Sequence, residues 1–251
     1  VSPVIQDLSV AAGLLAAMVV GLEAGYRSGR RAAKAEPAGA GSQVGAIQAA
    51  VLGLLGLLLA FSFAAAGSRF LERQDLIALE ANAIGTAWLR AELLGEPHRS
   101  ELRAALEAYT AHRIAISSHM RYGWEQEQAA EVERLHGRMW RAASAGVARQ
   151  TELAVAMLTP VNEVLDLHSL RIAATRKHLP LLVVWLLVVS SVLAVAVIGY
   201  GCGMDGRHRW NLTLSLAILI VGALWVTIDL DHPRRGLLQL NDAPLRELKF
   251  Q

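Results

Sequence analysis

The sequence predicts an all-α integral membrane protein with four transmembrane helices and a helical extramembrane bundle between spans two and three. Three observations predict it. Four apolar stretches approach the ~20 residues needed to cross the hydrocarbon of a bilayer. A long polar segment of balanced charge separates the second from the third, and no segment alternates with the period of a strand. The composition agrees: 54% of the 251 residues are hydrophobic and only 18% charged, too apolar for an ordinary soluble domain and too charged for a chain that lies wholly in lipid.

The stretches fall at 3–22, 44–66, 179–200 and 210–228. The second and third carry no formal charge, whereas the first contains Asp7 and the fourth opens with Asn211 and Thr213. The N-terminal stretch has its arginines after the apolar run and lacks a basic n-region before it, so it reads as a retained anchor. "KAEPAGAGSQ" joins the first pair as a flexible hairpin, and "CGMDGRHRWN" joins the second pair tightly. The expected organisation is therefore 1–66, spans one and two with a short basic loop; 67–178, the extramembrane helical domain; 179–228, spans three and four; and 229–251, a C-terminal tail.

The segment 67–178 contains 14 Lys or Arg and 14 Asp or Glu, as a solvated helical domain should. Phe70, Ile77, Ala81, Ile84 and Trp88 line one helical stripe that follows span two without a break, so that helix is expected to run on out of the bilayer. Leu102, Leu106, Tyr109, Arg113, Ile116 and Met120 form a second stripe, and Trp124, Val132, Leu135, Met139 and Ala142 a third. "GEPHRS" and "MRYGWEQ" read as turns. A last helix, about 148–178, contains Pro160, whose missing N–H and bulky ring predict a kink.

Four crossings put both termini and the helical domain on one side. Arg27, Arg30, Arg31 and Lys34 in one short loop, with Arg207 and Arg209 in the other, favour short loops in the cytoplasm and the domain outside an inner membrane. Arg69, Arg73, Arg171, Arg176 and Lys177 on the domain's side, with Arg234 and Arg235, argue the other way.

Candidate sites are of two kinds. In span two, Gly45, Ala49, Gly53, Gly56, Ala60 and Ala64 recur at three or four residues and share a face that admits close backbone approach. That face is read either as intramolecular packing or as a self-association seam or pore wall, with Gln48 as a hydrogen-bonding neighbour. The second kind is an interfacial charge cluster. Glu80 and Asn82 interrupt the first extramembrane stripe, where the carboxylate is read either as paired with an arginine of another helix or as exposed at a cleft between helices. Asn162, Glu163 and Asp166 group their oxygens on a helix face, and His168 and Arg171 lie on another.

At the end of span four, Asp229, Asp231 and His232 precede Pro233, Arg234 and Arg235. Acids at a helix C-terminus oppose the macrodipole, so Arg234, Arg235 or Arg171 is expected to compensate them. The cluster reads as a salt-bridged anchor, or as an ion site built from Asp166, His168, Asp229, Asp231 and His232.

No catalytic signature is present: there is no GxSxG, HExxH, Walker-type GxxxxGK or GxGxxG motif, and a single cysteine, Cys202, excludes a thiolate metal cluster. A formal charge of +2 gives no footprint for nucleic acid. The chain is expected to be no enzyme, to need no cofactor, and to partner membrane lipid, copies of itself or an unrelated membrane-complex subunit.

Taken together, "VGAIQAAVLGLLGLLLAFSF", "EANAIGTAWLRAELL", "VNEVLDLHSLR" and "DLDHPRRGLLQLNDAPL" resemble the bacterial bestrophin-like membrane domain family over nearly the whole chain. The resemblance implies remote similarity to bestrophins, pentameric anion channels with four spans and a large helical region. It also implies a cytoplasmic helical domain and termini, opposite to the charge bias. The aromatic neck of bestrophins has no counterpart in span two, where Phe61 and Phe63 are two apart and cannot share a helix face.

Overall fold

The structure is a computed structural model and describes residues 3–34, 41–118, 125–207, 209–233 and 237–250. Its helices in chain order are α1 (Pro3–Ala32), α2 (Gly41–Arg90), a 3-10 turn (Ala91–Leu93), α3 (His98–Ser118), α4 (Glu125–Val147), α5 (Thr151–Arg176), α6 (Leu181–Met204), α7 (Trp210–Asp231) and the short α8 (Ala243–Arg246). No strand occurs among the described residues. Four helical stretches are long and apolar enough to cross a membrane, and they include α1, α2, α6 and α7. The protein is an all-α, multi-pass membrane protein.

The chain divides into two compact units, one of Val1–Phe70 with His178–Gln239 and one of Leu71–Lys177 with Leu240–Gln251. In the apolar unit, α1, the first part of α2, α6 and α7 bury Met18, Leu22, Leu55, Leu187, Ile220 and Leu224. Close packing there comes from glycine. A Cβ at Gly25 would collide with the Ala196 carbonyl and one at Gly29 with the Tyr200 carbonyl. In the other direction, Gly199 meets Leu22 and Gly203 meets Tyr26, backbone to backbone. The matched order of these pairs makes α1 and α6 parallel, the relation that first and third crossings must have. Gln48 of α2 donates from Nε2 to the Val197 carbonyl at 3.0 Å, satisfying a polar side chain inside an apolar helix.

A 50-residue helix is about 75 Å long at 1.5 Å per residue, more than twice the ~30 Å hydrocarbon thickness. Part of α2 therefore lies outside the hydrocarbon, and the helix continues unbroken as the stripe from Phe70 to Trp88 requires. In the polar unit Ile77, Ala81, Ile84 and Trp88 are buried against Leu102, Leu106 and Tyr109 of α3 and Val132, Leu135, Met139 and Ala142 of α4. Met120 and Trp124 lie outside the described residues, as does most of the turn expected at "MRYGWEQ".

α5 remains helical on both sides of Pro160. The proline cannot donate to the carbonyl four residues earlier, that of Ala156. Arg90 Nη1 donates to this oxygen at 2.9 Å, so the defect expected from the ring is repaired from α2. Pro180 caps α6 with φ −55°, the torsion a helix start accepts, and the residues ahead of it leave the helical region. The tail is tied to its own unit: Gln74 donates to the Asn241 carbonyl and accepts from the Asn241 amide, both at 2.8 Å, and Trp88 packs on Phe250 with centroids 4.7 Å apart.

Candidate functional site

The small-residue face of α2 is uncovered. Gly45, Ala49, Gly53, Gly56, Ala60 and Ala64 are all exposed, and a Cβ added at Gly45, Gly53 or Gly56 meets nothing within 4 Å. Intramolecular backbone approach is made instead by α1 and α6. Their Gly21, Gly25 and Gly29, and Gly199 and Gly203, carry the same four-residue spacing in the sequence, but the richer run in span two draws attention first. Gln48 faces inward, to α6, and does not join the open face.

The charged residues of the expected cluster separate into different settings. Glu80 is fully buried in the polar unit. Arg171 of α5 donates to one of its oxygens and Tyr109 of α3 to the other, while Arg113 Nε stands 3.4 Å from the carboxylate. Both arginines are buried as well. The helical stripes explain the meeting: position 80 lies on the inward face of α2, and positions 109 and 113 share the inward face of α3.

His168 completes the group, its Nδ1 3.3 Å from the Tyr109 oxygen. Because the tyrosine proton is committed to Glu80, that nitrogen acts as donor to Tyr109. His136 of α4 packs edge-on against His168, with centroids 5.0 Å apart.

Electrostatics follow from burial and from the excess of cations over anions. Burial disfavours the ionised Glu80, yet Arg113 and Arg171 outweigh it and hold the carboxyl below the usual range. Burial pushes the Tyr109 hydroxyl well above its ordinary value, and the adjacent Glu80 adds to the rise. His168 falls to about 4, by burial first and then by repulsion from Arg113, and His136 falls for the same two physical reasons. Both rings are therefore neutral at pH 7. Every oxygen of Glu80 is occupied, so the group works as an internal tie between α2, α3 and α5 and offers no open acid or base.

The other expected members lie apart from it. Asn82 is exposed, its carbonyl accepting from Thr86 Oγ1. Asn162, Glu163 and Asp166 are exposed too, and Asn162 Nδ2 donates to Asp166 at 2.9 Å. The oxygens of that face are thus partly spent on each other.

At the end of α7, Asp229 and Asp231 are buried. Asp229 accepts the Leu237 and Leu238 amides at 3.1 and 2.8 Å, holding those residues against the end of α7. Asp231 accepts Arg69 Nε at 3.0 Å and the Leu179 amide at 2.9 Å. The compensation expected from Arg171 is corrected: that guanidinium is committed to Glu80, and the described cation on Asp231 is Arg69. Arg234 and Arg235 lie outside the described residues.

His178, which sequence reasoning passed over, stands beside this acid. Its Nδ1 is 3.4 Å from Asp231 Oδ2, and its ring stacks on His232 with centroids 4.5 Å apart and planes 9° from parallel. Of the five residues expected to build an ion site, Asp231 and His232 come together with His178, the ligand atoms of the three lying within 4.8 Å of one another. The signal available was "HLP" and "DHP", two histidines one or two residues before a proline at a helix end.

No curated protein and no solved structure matches the chain. A family model does, the bestrophin-like domain, over residues 12–245, from within α1 to α8. Four helical stretches fit to cross a bilayer, a helical polar unit between the second and third, and this match over most of the chain place the protein in the bestrophin-like domain family.

Proposed function

We propose that the protein assembles with copies of itself into an ion channel of a bacterial inner membrane, with α2 of each copy at the shared axis. The observation that carries this reading is the uncovered face of Gly45, Ala49, Gly53, Gly56, Ala60 and Ala64. Helices in lipid gain little from burying more apolar surface, so small side chains matter by letting another helix approach. In α1 and α6 the same device is used up within the chain, and in α2 it is left for another molecule. Membership of a family likened to bestrophins supports conduction, and the lack of a catalytic motif sets a channel ahead of an enzyme.

Reconstitution tests it. Liposomes holding the purified protein should pass ions, and Gly53→Leu with Gly56→Leu should abolish flux and lower the oligomer mass. Tight liposomes together with an unchanged monomeric mass would overturn the reading.

A second reading is a noncatalytic interaction module in a larger membrane complex. It is favoured by Val155, Leu170 and Ile172 of α5, which are exposed apolar residues on the polar unit. Copurification of a stoichiometric unrelated membrane subunit would select it. For orientation we propose cytoplasmic short loops, on the basic residues between α1 and α2, where Arg30 and Arg31 end α1. A reporter fused after Gln251 should then be silent in the cytoplasm, and activity there would support the bestrophin orientation.

A further inference from the structure

We propose that His178, Asp231 and His232 form a binding site for one transition-metal dication of the zinc class, tying the start of α6 to the end of α7. The inference does not rest on conduction and stands on the geometry of three side chains.

The carboxylate is the fixed member. Asp231 is 2% exposed, with Arg69 on Oδ1 and the Leu179 amide on Oδ2. Such outer contacts orient a ligand before the metal arrives. The imidazoles are the adjustable members, each side chain 41% exposed, with Nδ1 of His178 and of His232 at 3.4 and 4.0 Å from Oδ2. Bonds of about 2.0–2.1 Å in a tetrahedral site imply ligand–ligand edges of about 3.3 Å. Both carboxylate edges therefore need to shorten by less than about 1 Å, and the edge between the two imidazoles by at most about 1.5 Å. Each Nδ1 also stands within hydrogen-bond distance of a backbone carbonyl, that of Asp231 for His178 at 3.1 Å and that of Ile228 for His232 at 3.2 Å. Each stacked ring therefore has to turn about its Cβ–Cγ bond and give up that contact to aim a lone pair at a shared ion, and the exposure of the rings permits it.

Ligand chemistry selects the metal. Two imidazoles and one carboxylate suit zinc and its neighbours, whereas calcium and magnesium require six or more oxygens. The cation would sit at the C-terminal, carbonyl-rich end of α7, where the macrodipole favours positive charge, and Asp229 lies two residues earlier. Arg69 opposes it from the far oxygen of Asp231, which sets the affinity below that of a site without a competing cation. Pro180 and Pro233 stiffen the chain beside each histidine.

The test uses the full chain, purified in detergent without a histidine tag and stripped with chelator. Zinc is titrated by calorimetry, and cobalt by its visible d–d absorption, which is intense only for tetrahedral sites. The expected result is one equivalent per chain, with affinity at least about tenfold weaker in His178→Gln and in His232→Gln and unchanged in His98→Gln. Because both site histidines are well exposed, the variants should keep the elution volume and melting temperature of the parent, and His178→Asn repeats the measurement if glutamine does not. Absence of saturable binding to the parent, or equal affinity in the His178→Gln, His232→Gln double variant, would overturn the proposal.

Discussion

Arg171 donates a hydrogen bond to the carboxylate of Glu80 across 91 positions of sequence, and neither side chain is open to solvent. A buried charge is tolerable only while its partners stay. With Arg113 the pair makes a group of one anion and two cations, so its loss is felt by three helices together.

Glu80→Ala should therefore cost about 3–5 kcal/mol, the range for a buried ion pair deprived of one member. The double change Glu80→Leu, Arg171→Met should recover much of that loss, because it leaves fewer uncompensated charges. Thermal unfolding in detergent compares the variants.

The same group predicts an acid limit. A histidine driven from 6.5 to about 4 on folding takes up protons more readily when unfolded. Stability contributed by neutral His168 is whole above 6.5 and is lost as pH falls toward 4. Glu80 follows, since its depressed carboxyl stabilises the fold above the ordinary carboxylate range and that contribution goes as pH drops through the folded value. Melting temperature measured from pH 7.5 to 4 should fall in the parent, and His168→Gln should flatten the upper part of the curve.

In the apolar unit, Gly25→Ala and Gly203→Ala should each destabilise by about 1–3 kcal/mol, because the new methyl group meets a backbone that cannot turn aside. Gly53→Ala, where a Cβ finds open space, should leave unfolding of the isolated chain unchanged. Unfolding in mixed micelles separates the two classes.

Asp229→Ala should strip acceptors from the Leu237 and Leu238 amides at a cost of about 1–3 kcal/mol. Limited proteolysis should then cut near Leu237 faster than in the parent.

The helices and their inward faces were legible because apolar residues repeat with a fixed period: Ile77, Ile84 and Trp88, or Leu135 and Met139, can be assigned to a core without knowing what they touch. Partners were less legible. Glu80 announced a need for an arginine, but Arg113 looked like one more member of its stripe, and nothing local points from residue 80 to residue 171. Asp231 likewise called for a cation, and Arg69 answers from a distant helix. The small-residue run of α2 is longer than those of α1 and α6, so spacing alone points first to α2; which face is already occupied within the chain depends on tertiary pairing that spacing does not encode.

The glycine contacts between α1 and α6 have a mechanical consequence. With carbonyls seated directly against α-carbons, one rod cannot slide or roll past the other without collision, so the two must travel as a single beam. Any rearrangement within the apolar unit has to be taken up by α2 or α7, and spectroscopic distances between labels at the exposed Val20 of α1 and Leu193 of α6 should stay constant while those to Gly53 of α2 change.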